Sequence, residues 1–281
     1  MATTITSTIK LASGYEIPRL GFGRKQSDAV SMPSKLATAT LIPPRHTAMK
    51  KAAETPSVHR ESPRDQIFFT SKVFDISYDA AKAQVDKSLA LSKLAYIDLM
   101  LLHKPMGGSE NRKGAWKALV EAVEAGKVRS IGVSNYGVHH LNELEQHIAE
   151  LEAEHGKGKG GVVSVQQVEL HPWLARKDIV DWCTQRGIAV QAYCPIVRGN
   201  RWDEPALQRL VKKYGKTEAQ VLIRWSLDKG FIPLPKSVTP SRIAANAEVF
   251  DFALTPDEVK GLETDEYSPV AWDPTVSRLE D

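Results

Sequence analysis

FIPLPKSVTPSRIAAN, residues 231–246, is the stretch on which the reading of this chain turns. Phe231-Ile232-Pro233-Leu234 is a short apolar run that reads as a buried strand, and it delivers Pro235-Lys236-Ser237-Val238 to a loop. Thr239-Pro240 then opens a helix, with Thr239 at the N-cap and Pro240 at the first helical position. Lys236, the Ser237 hydroxyl, free backbone N–H groups and Arg242 one turn on converge at that helix start. The arrangement suits a phosphate. A strand, a loop and a helix with two solvated cations is the plain alternative on these residues alone.

Working back from that stretch, strands and helices alternate. QIFFTSKV (66–73) is a strand and 78–92 an amphipathic helix. IDLMLLH (97–103) is a strand, 115–125 a helix, RSIGVS (129–134) a strand and 138–154 a helix. Residues 162–170 form a strand, 177–186 a helix and 189–193 a strand, followed by helices at 204–214 and 217–229. Continuous apolar strands alternating with helices predict a parallel sheet covered on both faces. A length of 281 residues suits an eight-stranded α/β barrel in one domain spanning 1–281. At the start of the chain, 9–22 reads as a hairpin turning at Ser13-Gly14, then a strand at 20–22.

The composition excludes several classes. Net charge is +3 with no Lys/Arg run, so nucleic acid is not implied. No apolar run approaches ~18 residues and no signal-peptide core is present, so a cytoplasmic, membrane-free protein is expected. Cys183 and Cys194 lack metal-ligand spacing and read as free thiols. No metal is expected, and the chain is expected to be a monomer.

In such a barrel, chemistry gathers at the carboxyl ends of the strands. Lys72, His103, Ser134-Asn135, Gln166-Gln167 with Glu169 and His171, Tyr193 and Lys236-Ser237 fall there, strand after strand. A lone Lys or His at a strand end is more often structural. Six successive strands ending in polar groups form a ring, and Ser134, Asn135 and Gln167 offer the donors and acceptors a carboxamide needs.

The stretches IPRLGFG, FFTSKV, YIDLMLLHKP, AWKALVEAVEAGKVRSIGVSNYGVHHLNEL, QQVELHPW, QAYCPI, KYGKTEAQVLIRWSLDKGFIPLPKSVTPSRIAANAEVFDF and WDPT resemble the aldo-keto reductase superfamily. The resemblance implies a (β/α)8 TIM barrel with an N-terminal hairpin that binds NADP(H). It assigns Lys72 to the catalytic lysine and His103 to the histidine that orients the substrate. It places Ser134, Asn135 and Gln167 on the carboxamide and Tyr193 against the nicotinamide. Lys236, Ser237, Val238, Arg242 and Asn246 fall on the adenosine 2′-phosphate end, where a guanidinium fork favours NADP. Three positions depart from the pattern: Gln166 for the usual Asn, Cys194 for the usual Ser, and Ala245 where Glu or Gln is frequent.

A fourth departure touches the chemistry. The family's acid is a tyrosine in a motif of the form GYRHIDTAxxYxNExxxGxAI, whose Asp pairs with the lysine. No such string exists here. Its place falls in 23–62, a stretch of about 40 residues with four prolines, no aromatic residue and no apolar period. Regrouping the last base of each codon with the first two of the next restores it. Leu36 through Thr40 permits Gly-Tyr-Arg-His, Leu41-Ile42 permits Asp, and His46-Thr47 permits Tyr. Met32-Pro33 and Met49-Lys50 must give Ala and Glu, as the motif's frame requires. Residues 31–62 therefore read as an out-of-frame segment, and 24–62 is expected to be aberrant, with the barrel distorted around its second strand. The expected function is carbonyl reduction by hydride transfer from NADPH, impaired in the chain as written because the catalytic Tyr and Asp are absent. The alternatives are an inactive NADP(H)-binding barrel or the product of a faulty gene model. A nucleotide sequence with a stop codon in the second frame would refute the frame reading.

Overall fold

Six strands pair in the order in which the chain makes them, all parallel, each joined to the next by at least one helix. The computed structural model describes residues 4–22 and 64–280. After a two-stranded antiparallel hairpin, β1 (Thr8–Lys10) and β2 (Glu16–Pro18), come β3 (Thr70–Val73), α1 (Tyr78–Ser92), β4 (Ile97–Leu102), α2 (Ser109–Glu124), β5 (Val128–Ser134) and α3 (Val138–His155). Then follow β6 (Val163–Glu169), α4 (Lys177–Gln185), β7 (Ala189–Tyr193), α5 (Pro205–Tyr214), α6 (Glu218–Asp228), β8 (Ile232–Leu234), α7 (Pro240–Ala247) and α8 (Pro256–Leu262). This is the strand–helix repeat of a (β/α)8 barrel preceded by a hairpin.

The period of two in the strands sorts their side chains between two cores. Leu99 and Leu101 of β4 join Phe68, Val165, Ile232 and Leu234 in the barrel interior, while Met100 and Leu102 face the helices beside Trp116 and Leu119. Leu11 and Ile17 of the hairpin belong to the interior cluster, and Ser13 bonds Ser130 near the start of β5 at 2.7 Å. The hairpin thus closes the barrel at the amino ends of the strands and leaves the carboxyl ends for chemistry. Gly132 is required where β5 passes β6, because a Cβ there would lie 2.2 Å from the Val165 carbonyl oxygen.

Three expectations from the sequence are corrected. Leu20–Phe22 is not a strand. It runs beside β8 through one bond, Gly21 N–H to Pro233 O at 3.1 Å, and Leu20 buries against Ile223, Leu227 and Val249. The strand expected over 66–73 is regular only from Thr70, because Arg64–Gln66 forms a 3-10 turn held by Arg64 to the Ile67 carbonyl at 2.6 Å. α2 starts at Ser109 rather than Ala115, since its first turns bury a charge instead of an apolar stripe: Arg112 forks onto Glu143 at 2.6 and 2.9 Å. α8 escaped the reading although Thr255 and Glu258 form a capping box at its start. Among the described residues no helix is long and apolar enough to cross a membrane. The expected second strand and the out-of-frame segment lie outside the described residues.

Candidate active site

Each strand of the sheet hands one polar group to the same end of the barrel, because the parallel register aligns the strand ends. Lys72 opposes Leu101 on β4, one residue before the strand's last pair, and His103 donates its N–H to the Val73 carbonyl at 2.9 Å. Ser134 opposes Gln167, and Glu169 opposes Tyr193. These registers bring Lys72, His103, Ser134, Asn135 and Tyr193 together.

Their side chains form one hydrogen-bonded line. Lys72 Nζ donates to Ser134 Oγ at 3.2 Å. Asn135 Nδ2 donates to Ser134 Oγ at 3.3 Å and to the His103 carbonyl at 3.0 Å. Tyr193 Oη donates to Asn135 Oδ1 at 2.8 Å. Asn135 holds this position in the left-handed region at φ 64°, a conformation Asn tolerates better than most residues, while its N–H bonds the Gln167 carbonyl at 2.9 Å. Gln167 Nε2 donates to Gln191 Oε1 at 2.8 Å inside the barrel. Gln166, the departure from the family's usual Asn, turns its amide onto the Tyr136 carbonyl at 2.6 Å and leaves its own Oε1 buried without a partner.

Burial sets the charge state of the cluster. Lys72 is 7% exposed, and loss of solvent lowers its amine to about 7. Among the described residues no carboxylate pairs with it. His103 is pushed down to about 3, first by burial and then by Lys72 and Lys104, so its imidazole is neutral at physiological pH. Its ring sits 4.8 Å from that of Phe74. Burial raises the Tyr193 hydroxyl, which stays protonated as a donor.

At the far rim, Lys236, Val238 and Arg242 are exposed, and Asn246 is a buried residue of α7. Neither Lys236 nor Arg242 makes an ion pair or hydrogen bond with another described residue. α7 begins at Pro240 as expected, yet Thr239 caps it without a side-chain bond, and Ser237 Oγ instead accepts from the Thr239 N–H at 3.2 Å. Gln220 of α6 fixes the other end of α7, donating to the Ala245 and Glu248 carbonyls at 3.0 and 3.2 Å. Two uncommitted cations beside a helix start, with a tyrosine at the strand ends between them and the lysine, fit a phosphate-bearing nicotinamide dinucleotide.

Two members of the expected ring do other work. Glu169 accepts from the N–H groups of Val270 and Ala271 at 2.6 and 3.0 Å, and pairs with His171 Nε2 at 3.0 Å. Burial pushes its carboxyl up, but these bonds outweigh that and hold it below the usual range. Glu169 thereby pins a strap, residues 264–280, across the strand ends. Arg176 holds Asp273 at 2.9 Å and Thr275 at 2.6 Å, His139 meets the Ser277 carbonyl at 2.7 Å, and Arg112 donates to the Leu279 carbonyl at 2.5 Å. Gly137 lies so close that a Cβ would sit 2.1 Å from the Thr275 carbonyl. The sequence reading missed Arg112, Arg176 and Gly137. The carboxylate partners of both arginines lie at least 31 residues away in sequence, so no local pattern announces them.

A parallel barrel with a lysine, a histidine and an amide-bearing strand end at its carboxyl mouth defines a class of carbonyl-handling oxidoreductases. The aldo/keto reductase family model matches residues 47–264. The chain is 35% identical to the glyoxal reductase of Bacillus subtilis (strain 168) over 281 residues, 95% of this chain and 96% of that protein. It is 32% identical to the methylglyoxal reductase DkgA of Escherichia coli O157:H7 over 265 residues, 90% and 91% of the two chains. A Gox0644 variant solved in complex with NADPH superposes with a TM-score of 0.77 at 27% identity, covering 97% of this chain and 99% of that one. This chain belongs to the aldo/keto reductase family, an oxidoreductase by descent.

Proposed function

We propose that the protein binds NADP(H) and that its barrel is built to reduce small aldehydes and ketones to alcohols. The line Lys72–Ser134–Asn135–Tyr193 beside a neutral His103 carries this reading. Bound NADPH supplies the hydride. Tyr193 offers its ring face to the nicotinamide, and Ser134, Asn135 and Gln167 surround its carboxamide. Lys236, Ser237, Val238, Arg242 and Asn246 take the adenosine 2′-phosphate end. His103, neutral, can donate an N–H to the carbonyl oxygen of the substrate and fix its face. The glyoxal and methylglyoxal reductases among its relatives, and the short loop between β4 and α2, favour a small aldehyde.

The proton that must reach the developing alkoxide has no donor of the family's kind among the described residues. Losing a general acid costs about 10²–10⁴-fold in rate. The chain as written is therefore a binder first and a slow reductase at best. The lysine without a described carboxylate favours this second reading, an inactive NADP(H)-binding barrel. Quenching and energy-transfer fluorescence on adding NADPH tests binding, and methylglyoxal-dependent loss of NADPH absorbance tests turnover. Binding in the micromolar range with little or no turnover is expected. No binding at millimolar NADPH would overturn the proposal.

A further inference from the structure

The geometry points to a second chemistry at Lys72: its amine forms an imine with an aldehyde that enters the mouth. The inference rests on the carbonyl-binding reading above, but it asks nothing of the cofactor. Lys72 ends its strand with Nζ held by a single hydroxyl, that of Ser134 at 3.2 Å. A hydroxyl can accept from an ammonium or donate to a free amine, so the contact survives loss of the proton. His103 follows the neighbouring strand and is only partly buried, while Lys72 beside it is 7% exposed. The titratable group coupled to Lys72 is His103, whose own proton Lys72 and Lys104 both disfavour, while the Lys72 amine is lowered by burial alone. No carboxylate among the described residues restores the lysine's proton, and burial leaves a large share of the amine free near neutrality. A desolvated amine of this kind is the nucleophile that adds to carbonyls.

The step balances without an oxidant or reductant. The nitrogen lone pair attacks the carbonyl carbon while the oxygen takes a proton, giving a carbinolamine. The hydroxyl then leaves as water with the second N–H proton, and the C–N bond becomes a C=N bond. His103, placed to donate an N–H to the carbonyl oxygen, assists the addition, and the Ser134 hydroxyl holds the amine in place.

Propanal with sodium cyanoborohydride at pH 7.5 traps any imine as a stable propyl-lysine, located by peptide mapping. Lys72 is expected to be alkylated at least 10-fold faster than the median exposed lysine. Lys72→Met and Lys72→Arg are expected to lose that one site while the exposed lysines label as before. NADPH binding is measured on the same preparation. Labelling of Lys72 no faster than that of exposed lysines, with NADPH binding intact, overturns the imine and leaves the reductase reading standing. Fast labelling of Lys72 without NADPH binding supports the imine and removes the reductase reading.

Discussion

Lys72 illustrates how a single buried residue carries both function and cost. Its amine sits at about 7 in the folded chain against 10.5 when exposed. Between those values the unfolded chain binds the proton and the folded chain does not, so this group's contribution to stability rises as pH rises from about 7 to 10.5. Below 7 the folded chain must bury the charge, and the full penalty, at most about 5 kcal/mol, applies. Lys72→Met should therefore stabilise the fold most at pH 6 and progressively less toward pH 10, as urea unfolding at the two pH values will show. A gain that is equal at both would contradict the assigned charge state. Arg242 makes a separate prediction. It has no ion-pair or hydrogen-bond partner among the described residues, so Arg242→Ala should leave folding unchanged and weaken NADPH binding about 10-fold while sparing NADH, read by fluorescence titration. At this scale the sequence was legible for the side chains: Lys72, His103, Ser134, Asn135 and Tyr193 stand together as the strand ends implied. It was illegible for Glu169 and His171, because a carboxylate that grips backbone N–H groups a hundred residues away leaves no local pattern.

Among the elements, α6 and α7 show how the cofactor rim is held from behind. Gln220 closes the capping box of α6 with Thr217 and also ties down two carbonyls at the end of α7. Gln220→Ala leaves those carbonyls without their donor, a cost of about 1–3 kcal/mol. It should weaken NADPH binding several-fold and speed hydrogen exchange in 240–247, although Gln220 is placed behind the cofactor rim. Unchanged exchange there would show that α7 is held by packing alone. The strap makes the matching case at the other rim. In Gly137→Ala the methyl group must displace the Thr275 carbonyl. Exchange across 270–279 should rise while that of β4 and β5 stays slow. Helix and strand positions were readable from period and caps, as α1, α3 and β7 attest. What escaped were elements whose inner face is polar, the first turns of α2 above all, since Arg112 inside a helix looks like a solvent-facing residue until Glu143 and the strap are brought to it.

For the molecule as a whole, the order of the chain decides what can be claimed. From Arg64 onward the fold is locked in: its guanidinium reaches the Tyr96 carbonyl at 2.8 Å and Asp98 at 2.5 Å, and lies over the Tyr96 ring beside Arg129. The family's motif, if restored by the second reading frame, ends just ahead of that anchor. A chain carrying Gly-Tyr-Arg-His-Ile-Asp-Thr-Ala in place of residues 37–44, with the rest of the frame through 62, should reduce methylglyoxal about 10²–10⁴-fold faster than the chain as written. It should also bury Lys72 against a carboxylate and so slow its reaction with propanal. Equal rates for the two chains would mean that the segment is not the missing part of the site. The barrel itself was visible from length and alternation. The out-of-frame reading of 31–62 rests on the protein sequence alone, in which each residue restricts the codons that can encode it.

The strap has a consequence for how such a protein changes over generations. Several of its fastenings, at Val270, Ala271, Ser277 and Leu279, grip main-chain atoms. Main-chain atoms are present whatever the side chain. Trp272 and Val276 meanwhile point outward, more than half exposed. Substitutions at these two positions can redraw the chemistry of the mouth one residue at a time while the fastenings hold, which makes the strap a place where new preferences arise without first unmaking the barrel.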